Sequence, residues 1–429
     1  MFGEFAVLLG VMLLTLALGM PVFLCLALSI ITYGAVYWPK VPLEIVVQGF
    51  LQGIDNYGLV AIPFFFLVGE ILNVGGIGRR LVNVATAVVG HVRGGLSHVN
   101  VLVSMVFAGI SGSAIADASA VGSLMIPAMK RAGYPGPYAA AITAAAATIG
   151  PIIPPSIPFV LYAFYSQTSV KELFLAGIAP GLLMGVFLLV ATYSIGRRRN
   201  YPSSAWLGWG VVARALVETA PALILPIFVV VGIVAGVATV TEIGALAALY
   251  AAAISLLNRE ITLAGLWAAT CRAGMESCRV LIVLSVAGAF MWIMGNMNLA
   301  RGLAETLMLV SSDPLAILAL IAVFLLIAGC LLDPVTILLI FVPMFLPAIR
   351  LVGIDPIHFG VVAVLATTLG LLTPPVGFLI YLTAAQAQSS STEVIRELAV
   401  FIVALTVLLA LLIAFPALST ALPGWLAGK

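Results

Sequence analysis

The chain has 429 residues, of which 63% are hydrophobic and only 8% are charged, and its mean hydropathy is +1.25. This composition excludes a soluble domain built around a large core and indicates an all-α integral membrane protein. The formal net charge is +2 and no basic run is long enough to bind a polyanion, so we expect no nucleic-acid partner. The four cysteines lack the paired spacing of metal ligands.

The first half of the chain, residues 1–205, begins with helices that we assign to a scaffold over 4–93. As a helix, residues 5–37 would be about 50 Å long, too long for one span of a bilayer core of roughly 30 Å. We therefore expect two crossings with a turn at Gly19-Met20-Pro21. Residues 41–56 place apolar and polar side chains on opposite helical faces, which is typical of a helix lying along the membrane surface.

The next apolar stretch, residues 96–132, is interrupted at 108–114 by a segment rich in glycine and serine. We expect a helical hairpin that enters the membrane and turns back, with a kinked crossing as the alternative. A broken helix at 136–166 and a crossing at 173–195 complete the first half.

The second half, residues 206–429, is predicted to repeat this order of elements. Its elements are scaffold helices at 220–311, which include a charged surface segment at 259–277, then a hairpin at 314–351, a broken helix at 357–388 and a crossing at 396–415.

The predicted breaks come from one segment that occurs twice. Ala147–Pro155 recurs 220 positions later as Thr367–Pro375, with a threonine, a glycine and both prolines in register. Proline removes a backbone donor and clashes with the preceding turn, so each copy should interrupt its helix. Unpaired backbone groups in hydrocarbon cost several kcal/mol each, so a break is tolerated only where it is buried or lines a cavity. Broken helices in matching positions of two halves indicate the binding site of a transporter.

About five crossings and one re-entrant hairpin in each half invert the second half relative to the first. The two hairpins then enter from opposite faces, and their tips meet near the midplane of the membrane. The positive-inside rule assigns the side that carries most basic residues to the cytoplasm. These residues are Arg79, Arg80, Arg93, Lys130, Arg131 and Arg197–Arg199.

The hairpin tips and the breaks offer carbonyl and hydroxyl oxygens to a small hard cation such as Na⁺, and helix N-termini to a carboxylate. A first Na⁺ cage is predicted from Ser111, Ser113, Gly150, Ile153 and Pro155. A second cage, from the 220-residue offset, comprises Gly329, Asp333, Gly370, Thr373 and Pro375. Substrate contacts are predicted at Ser111, Asp117, Thr148, Pro154, Ser156, Thr368 and Pro374.

Structural roles compete with these assignments. Ser111 and Ser113 could instead form hydrogen bonds between helices, where small residues are common. Asp117 is a carboxylate inside an apolar stretch and hence a functional candidate, although a paired structural role is the alternative. Asp333 could cap the helix that follows it, which does not exclude ion binding.

At these residues the chain resembles the large membrane subunit of tripartite ATP-independent periplasmic (TRAP) transporters. The resemblance covers essentially the whole chain and is most specific at Gly109–Asp117, Ala147–Pro158 and Leu369–Pro375. It implies a Na⁺-driven importer, not an enzyme, in the cytoplasmic (inner) membrane of a bacterium or archaeon. It also implies an elevator mechanism, in which the hairpins and broken helices move as one block. The implied partners are a small four-helix membrane subunit, a periplasmic substrate-binding protein and an organic acid such as a dicarboxylate or sialic acid.

Three other functions are weighed against this one. A self-sufficient ion-coupled organic anion transporter of the same architecture would need no binding protein. Gly109-Ile110-Ser111-Gly112 fits the Gly-x-Ser-Gly pattern of intramembrane serine proteases, but no histidine is predicted in mid-membrane to act as its base. A passive channel is disfavoured by the inverted repeat.

Overall fold

The computed structural model describes residues 2–37, 43–297 and 299–426, and all regular elements in these ranges are helices. Positions 41 and 42 of the predicted surface helix lie outside the described residues. In the first half the helices are α1 (Phe2–Ala17), α2 (Val22–Val36), α3 (Leu43–Gln52), α4 (Ala61–Val74), α5 (Ile77–Val89), α6 (Gly95–Ser111), α7 (Ala114–Arg131), α8 (Gly136–Ala147), α9 (Ile157–Ser166) and α10 (Val170–Arg198). A 3₁₀ turn at Tyr57–Val60 leads into α4.

The second half contains ten further helices within the described ranges. They are α11 (Trp209–Val234), α12 (Val240–Leu257), α13 (Leu263–Asn296), α14 (Leu299–Val310), α15 (Pro314–Gly329), α16 (Pro334–Leu351), α17 (Pro356–Gly370), α18 (Phe378–Ala387), α19 (Ser391–Ala414) and α20 (Ala417–Leu426).

Seven helical segments of the described chain are long and apolar enough to cross a bilayer. They are Tyr57–Val74, α10, α11, α12, α13, α16 and α19. Shorter apolar helices in the described ranges include α1, α2, α6, α9, α17 and α18. The fold is therefore that of an all-helical, multi-pass membrane protein. The predicted number of crossings per half stays a prediction.

The two halves have the same order of helices. A hairpin (α6 and α7), a broken helix (α8 and α9) and a long helix (α10) in the first half correspond to α15 and α16, α17 and α18, and α19 in the second. The first hairpin turns at Gly112, which adopts the left-handed conformation with φ +61°. The arms of each hairpin pack against each other, so these segments are hairpins and not kinked crossings.

One scaffold element differs between the halves. In the first half α3 ends before Gly53, and Asn56 caps the 3₁₀ turn by accepting a hydrogen bond of 2.8 Å from the Gly58 amide. The equivalent positions 273–276 of the second half contain no such turn, and α13 runs unbroken for 34 residues, or about 51 Å. Residues 263–277 of the predicted surface segment at 259–277 thus continue as one helix into the crossing that follows, and the position of this segment at the membrane surface stays a prediction.

The C-terminal helix α20 was not predicted from the sequence. It packs against α10, and the hydroxyl of its Ser419 lies 2.7 Å from Nδ1 of the buried His358 on α17. A hydrogen bond thus ties the end of the described chain to the second broken helix.

Candidate functional site

The tip of the first hairpin lies directly on the first break, which comprises residues 148–156. A Cβ atom added to Gly112 would lie 3.1 Å from the Ile157 nitrogen and 3.3 Å from Cα of Ser156. The next residue, Ser113, caps α7 by accepting a hydrogen bond of 3.4 Å from the Ala116 amide. Only glycine allows both the turn and this close approach, since a side chain would push the tip away from the break.

The first break leaves three carbonyl oxygens without a partner. Ser156 closes the loop, because its hydroxyl donates a 2.5 Å hydrogen bond to the Pro151 carbonyl and accepts one of 3.2 Å from the Phe159 amide. In contrast, the carbonyl oxygens of Gly150, Ile153 and Pro155 accept no hydrogen bond from any described residue. The peptide bond between Pro154 and Pro155 is cis, as is the equivalent bond between Pro374 and Pro375. Three of the five predicted members of the first cage thus have lone pairs available to a ligand.

A fully buried carboxyl group completes the surroundings of these oxygens. The Ser111 hydroxyl donates a hydrogen bond to Oδ1 of Asp117, and it accepts one of 3.2 Å from the Ser113 amide. Oδ2 of Asp117 has no hydrogen-bond partner among the described residues. It faces Gly150, where an added Cβ would lie 3.2 Å from Cγ of Asp117. The predicted alternative, a paired structural role for Asp117, therefore applies to Oδ1, whereas Oδ2 has no described partner.

The second hairpin and break have fewer free oxygens. The Gly370 carbonyl accepts a 2.9 Å hydrogen bond from the Thr373 amide, and the Pro375 carbonyl accepts one of 3.4 Å from the Tyr381 hydroxyl. Asp333 caps α16: its Oδ2 accepts a 3.1 Å hydrogen bond from the Thr336 amide and its Oδ1 a 2.5 Å bond from the Thr336 hydroxyl. The first cage is thus better prepared for a cation than the second.

The two hairpin tips meet at one cavity, which we call the tip cavity. Its volume is about 70 Å³ between Ser113 of the first tip and Asp333 of the second, and Pro151 and Leu371 of the two breaks also line it. Four elements from the two repeats therefore converge on one place in the molecule.

The predicted substrate residues do not line this cavity. The hydroxyl groups of Thr148 and Thr368 are buried and donate to their own helices, to Ala145 at 2.6 Å and to Val364 at 2.6 Å. Ser156 is occupied by the loop closure described above. Pro154 is buried and Pro374 is exposed. None of these residues lines the tip cavity, and their assignment as substrate contacts stays a prediction.

Several residues that do line the cavity were not singled out in the sequence. They are Phe66, Ile115, Ile157, Pro158, Pro334 and Val335, beside the small residues Gly112 and Ala114. Phe66 comes from the scaffold helix α4, whose proximity to the tips no local pattern could reveal. Ile115 could have been predicted to line the cavity, because it lies two residues after the helix cap Ser113. Residues in the first turn of a helix share the surroundings of its cap.

The base of each hairpin is hydrogen-bonded to the broken helix of the other repeat. Nζ of Lys130, at the end of α7, donates a 2.8 Å hydrogen bond to the carbonyl of Ala387, the last residue of α18. Nη2 of Arg350, at the end of α16, donates one of 2.9 Å to the carbonyl of Ser166, the last residue of α9. A cation at a helix C-terminus also interacts favourably with the helix dipole. These crossed contacts join the two repeats into one body.

Among the described residues, no histidine forms a hydrogen bond with the Ser111 hydroxyl. The Ser111 hydroxyl donates to Asp117, whereas the ring nitrogens of His98 and His358 contact Gly94 and Ser419. Among the described residues, no three His, Cys, Asp or Glu side chains are grouped so as to hold a metal ion. The oxygens at the tips are therefore neutral carbonyls and hydroxyls beside single carboxyl groups.

A sequence profile of the tripartite ATP-independent periplasmic transporter family, DctM component, matches residues 9–418. The chain belongs to this family. It is 36% identical to the sialic acid TRAP transporter large permease protein SiaM of Vibrio cholerae, over 94% of this chain and 95% of that protein. It is 37% identical to the C4-dicarboxylate TRAP transporter large permease protein DctM of Pseudomonas aeruginosa, over 87% of each.

The fold also has a solved relative. The YdaH transporter of Alcanivorax borkumensis superposes with a TM-score of 0.65 over 87% of each chain, at 16% sequence identity, a likeness that concerns the fold alone. The predicted family is confirmed, and with it the prediction that the chain is a transporter subunit of the bacterial inner membrane and not an enzyme. TRAP large permeases work with a small membrane subunit and a periplasmic binding protein.

Proposed function

We propose that this TRAP large permease imports a small organic acid by Na⁺ symport, through an elevator movement of the hairpins and broken helices. The observation that carries the proposal is the convergence of both tips and both breaks on the tip cavity, beside the three free carbonyl oxygens of Gly150, Ile153 and Pro155. Unwound carbonyls of this kind coordinate Na⁺ in transporters built from repeats.

The donor set of the first cage favours a monovalent hard cation. Its members are neutral carbonyl and hydroxyl oxygens, and the one carboxyl group beside them, Asp117, has an unpartnered oxygen. Soft transition metals prefer imidazole and thiolate ligands, which this site does not offer. A bound Na⁺ would balance the negative charge of a carboxylate substrate while both cross the low-dielectric membrane. We also propose that the members of the second cage bind a second Na⁺, because Asp333 and Thr373 supply side-chain oxygens there.

The names of the relatives give the substrate class. SiaM is named for sialic acid and the Pseudomonas DctM for C4-dicarboxylates, and both substrates are carboxylates at neutral pH. We extend this class, and no particular member of it, to the present chain. The N-terminus of α7 at Ser113 and that of α16 at Asp333 flank the tip cavity, and helix N-termini favour anions.

The crossed hydrogen bonds of Lys130 and Arg350 support the elevator. They tie each hairpin to the broken helix of the other repeat, so the four elements can move together. The Tyr162 hydroxyl adds a further bond between the repeats, to the Pro356 carbonyl. The remaining helices, among them α1–α5 and α11–α14, would form the stationary scaffold, with the small membrane subunit as a separate chain.

The test is uptake into proteoliposomes that contain this chain with its small membrane subunit, supplied with the cognate periplasmic binding protein. Radiolabelled succinate and sialic acid are offered with an inward Na⁺ gradient, and with K⁺ in its place. We expect uptake of a carboxylate that requires both the Na⁺ gradient and the binding protein. Equal uptake in K⁺ would contradict Na⁺ symport.

Two variants connect the result to the site. Ser111→Ala should raise the Na⁺ concentration needed for half-maximal uptake. Ser29→Ala removes an equally buried hydroxyl, bonded to the Cys25 carbonyl at 2.7 Å in the scaffold helix α2, and should leave the Na⁺ dependence unchanged. Uptake without the binding protein would favour the alternative of a self-sufficient organic anion transporter.

A further inference from the structure

A second cavity lies between the first hairpin and the scaffold, and we call it the basal cleft. Its volume is about 400 Å³, and it is lined by the turn between α4 and α5 on one side and by α7 on the other. Its polar side chains are Asn73, Arg79, Ser123 and Glu260. The cleft is roomy enough for a small organic acid and is not part of the tip cavity.

The cleft carries one positive charge without a partner. Nη2 of Arg80 pairs with Oε1 of Glu260 at 2.5 Å, and the Glu260 side chain is only 7% exposed. Arg79, the neighbouring cation, is exposed and has neither an ion pair nor a hydrogen bond with any described residue. A cavity with walls of low dielectric strengthens the field of such a charge, so the cleft attracts anions.

One face of α7 leads from the tip cavity to this cleft. Ile115 lines the tip cavity, and the exposed positions that follow it at helical spacing are Ser119, Ser123 and Lys130. A helix face against lipid would be apolar, since hydrocarbon does not solvate hydroxyl or ammonium groups. This polar face, about 25 Å from the tip to the base of the hairpin, is therefore suited to water and not to lipid.

The equivalent face of the second hairpin is closed. Leu339 of α16, which corresponds to Ser119 by the 220-residue offset, is buried, and an apolar cavity lined by Phe341, Met344 and Phe345 adjoins this helix. Among the described residues, the polar face thus lies on the side of the first hairpin and has no counterpart at position 339 of α16. That side carries the basic residues that the positive-inside rule assigns to the cytoplasm.

We propose that the basal cleft is the release path of the substrate, and that Arg79 forms an anion-binding subsite for the carboxylate within it. This inference rests on the proposed import of an organic acid. It adds the side of the membrane on which the substrate is released, the path that it follows and the residue that binds it on the way. In this state a carboxylate that leaves the tip cavity moves along the Ser119–Ser123 face of α7 and meets Arg79 before it reaches bulk water. Asn73 supplies a neutral hydrogen-bond donor in the same cleft, whereas the Ser123 hydroxyl donates to the Ala120 carbonyl at 2.8 Å and can only accept.

The test measures how fast charged thiol reagents reach the cleft, and it needs no substrate. All four native cysteines are replaced, because Cys271 and Cys278 are exposed. Ser123→Cys is then introduced, with Ser119→Cys as a second reporter and Ser312→Cys, at an exposed position outside the cleft, as the reference. The anionic reagent methanethiosulfonate ethylsulfonate is compared with its trimethylammonium counterpart on the full chain co-purified with its small subunit.

We expect the anionic-to-cationic rate ratio at position 123, divided by that at position 312, to fall about threefold or more when Arg79→Gln is added. Arg197→Gln removes the same charge from an exposed position outside the cleft and should leave the ratio unchanged. An unchanged ratio in Arg79→Gln would overturn the anion subsite. Failure of both reporters to react would overturn the water-filled path.

A lipid phosphate is the other source of an anion for Arg79. The ratios are therefore measured in phospholipid nanodiscs and in detergent without phospholipid. An effect of Arg79→Gln in both media supports the subsite, whereas an effect that appears only without phospholipid identifies a lipid phosphate as the partner and overturns the proposal. Labelling requires neither Na⁺ nor uptake, so the labelling results can be interpreted even if Na⁺ symport is disproved. The uptake results can likewise be interpreted if the anion subsite is disproved.

Discussion

Gly329 and Gly370 contact each other through their backbones, at the point where the second hairpin crosses the second broken helix. A Cβ atom added to Gly329 would lie 3.0 Å from Cα of Gly370 and 2.5 Å from the Thr367 carbonyl oxygen. Both glycines end their helices, α15 and α17, so this contact fixes the distance between the tip and the break. The backbone oxygens near the second tip can converge only if neither position carries a side chain.

Gly329→Ala should therefore destabilise the protein by about 1–3 kcal/mol, because the methyl group meets backbone atoms that cannot rotate away. Uptake should fall further than the amount of folded protein, since the second tip is displaced. Thermal unfolding in detergent and Na⁺-driven uptake are the two measurements. Gly274→Ala on α13 is the matched control, because nothing lies within 4 Å of its added Cβ. Equal behaviour of the two variants would show that the tip tolerates the displacement.

The crossed contacts of Lys130 and Arg350 allow a second prediction. Lys130→Gln removes a charged hydrogen bond to the Ala387 carbonyl at an exposed helix end, and we expect a loss of about 0.5–1 kcal/mol. Arg131→Gln, next to it, removes an exposed charge that has no described partner and should have little effect. Since Lys130 and Arg350 cap different helices, the effects of Lys130→Gln and Arg350→Gln should add in the double variant. Unfolding temperatures of the four proteins would reveal any departure from additivity.

The breaks could be predicted because their cause is local. Gly150 followed by Pro151, Pro154 and Pro155 cannot propagate a helix whatever surrounds it, and 220 positions later Gly370 with Pro374 and Pro375 has the same effect. The hairpin turn at Gly112 and the caps at Ser113 and Asp333 are equally local in origin. Repetition of these features in one register then indicated that the tips belong together.

The remaining features depend on contacts between distant parts of the chain. Thr148 and Thr368 were assigned to the substrate because hydroxyl groups near a break are potential ligands, yet each donates to a carbonyl one turn earlier in its own helix. Back-bonding of this kind is a choice of rotamer, which the sequence does not specify. Phe66 reaches the tip cavity only through the packing of the scaffold against both hairpins. The continuity of α13 was not predicted, because it depends on the absence of a turn. An absent turn leaves a weaker signal in the sequence than a turn that is present.

Asp333 offers a prediction that separates capping from ion binding. Asp333→Asn keeps an oxygen that can accept the hydrogen bond from the Thr336 amide but removes the charge, whereas Asp333→Ala removes both. We expect Asp333→Ala to lose about 1 kcal/mol of stability and Asp333→Asn only a few tenths. If Asp333 contributes charge to a Na⁺ site, both variants should need several-fold more Na⁺ for half-maximal uptake. A Na⁺ activation curve of Asp333→Asn that matches the wild type would restrict Asp333 to capping.

The hydrogen bond between Ser111 and Asp117 supports the last prediction. Ser111→Ala leaves the buried Asp117 carboxyl without its one described side-chain partner, because its other oxygen is already unpaired. Breaking a buried bond to a charged or acidic group costs about 1.5–3 kcal/mol, so Ser111→Ala should be clearly destabilising. Asp117→Asn should cost less, since the amide retains an oxygen that can accept from Ser111. The double variant should show a coupling energy of about 0.5–3 kcal/mol between the two positions.

The same variants reveal whether this pair belongs to a Na⁺ site. A ligand that binds only the folded protein stabilises it by about 2.7 kcal/mol at a concentration of 100 Kd, so the wild-type unfolding temperature should rise when K⁺ is replaced by Na⁺. In Ser111→Ala the rise should shrink, because one oxygen of the first cage is gone, and in Ser29→Ala it should be retained in full. Ser111→Ala could instead show the full Na⁺-dependent rise, starting from a lower unfolding temperature than the wild type. That result would mean that Ser111 only holds Asp117 in place and that the carbonyls of Gly150, Ile153 and Pro155 bind the cation.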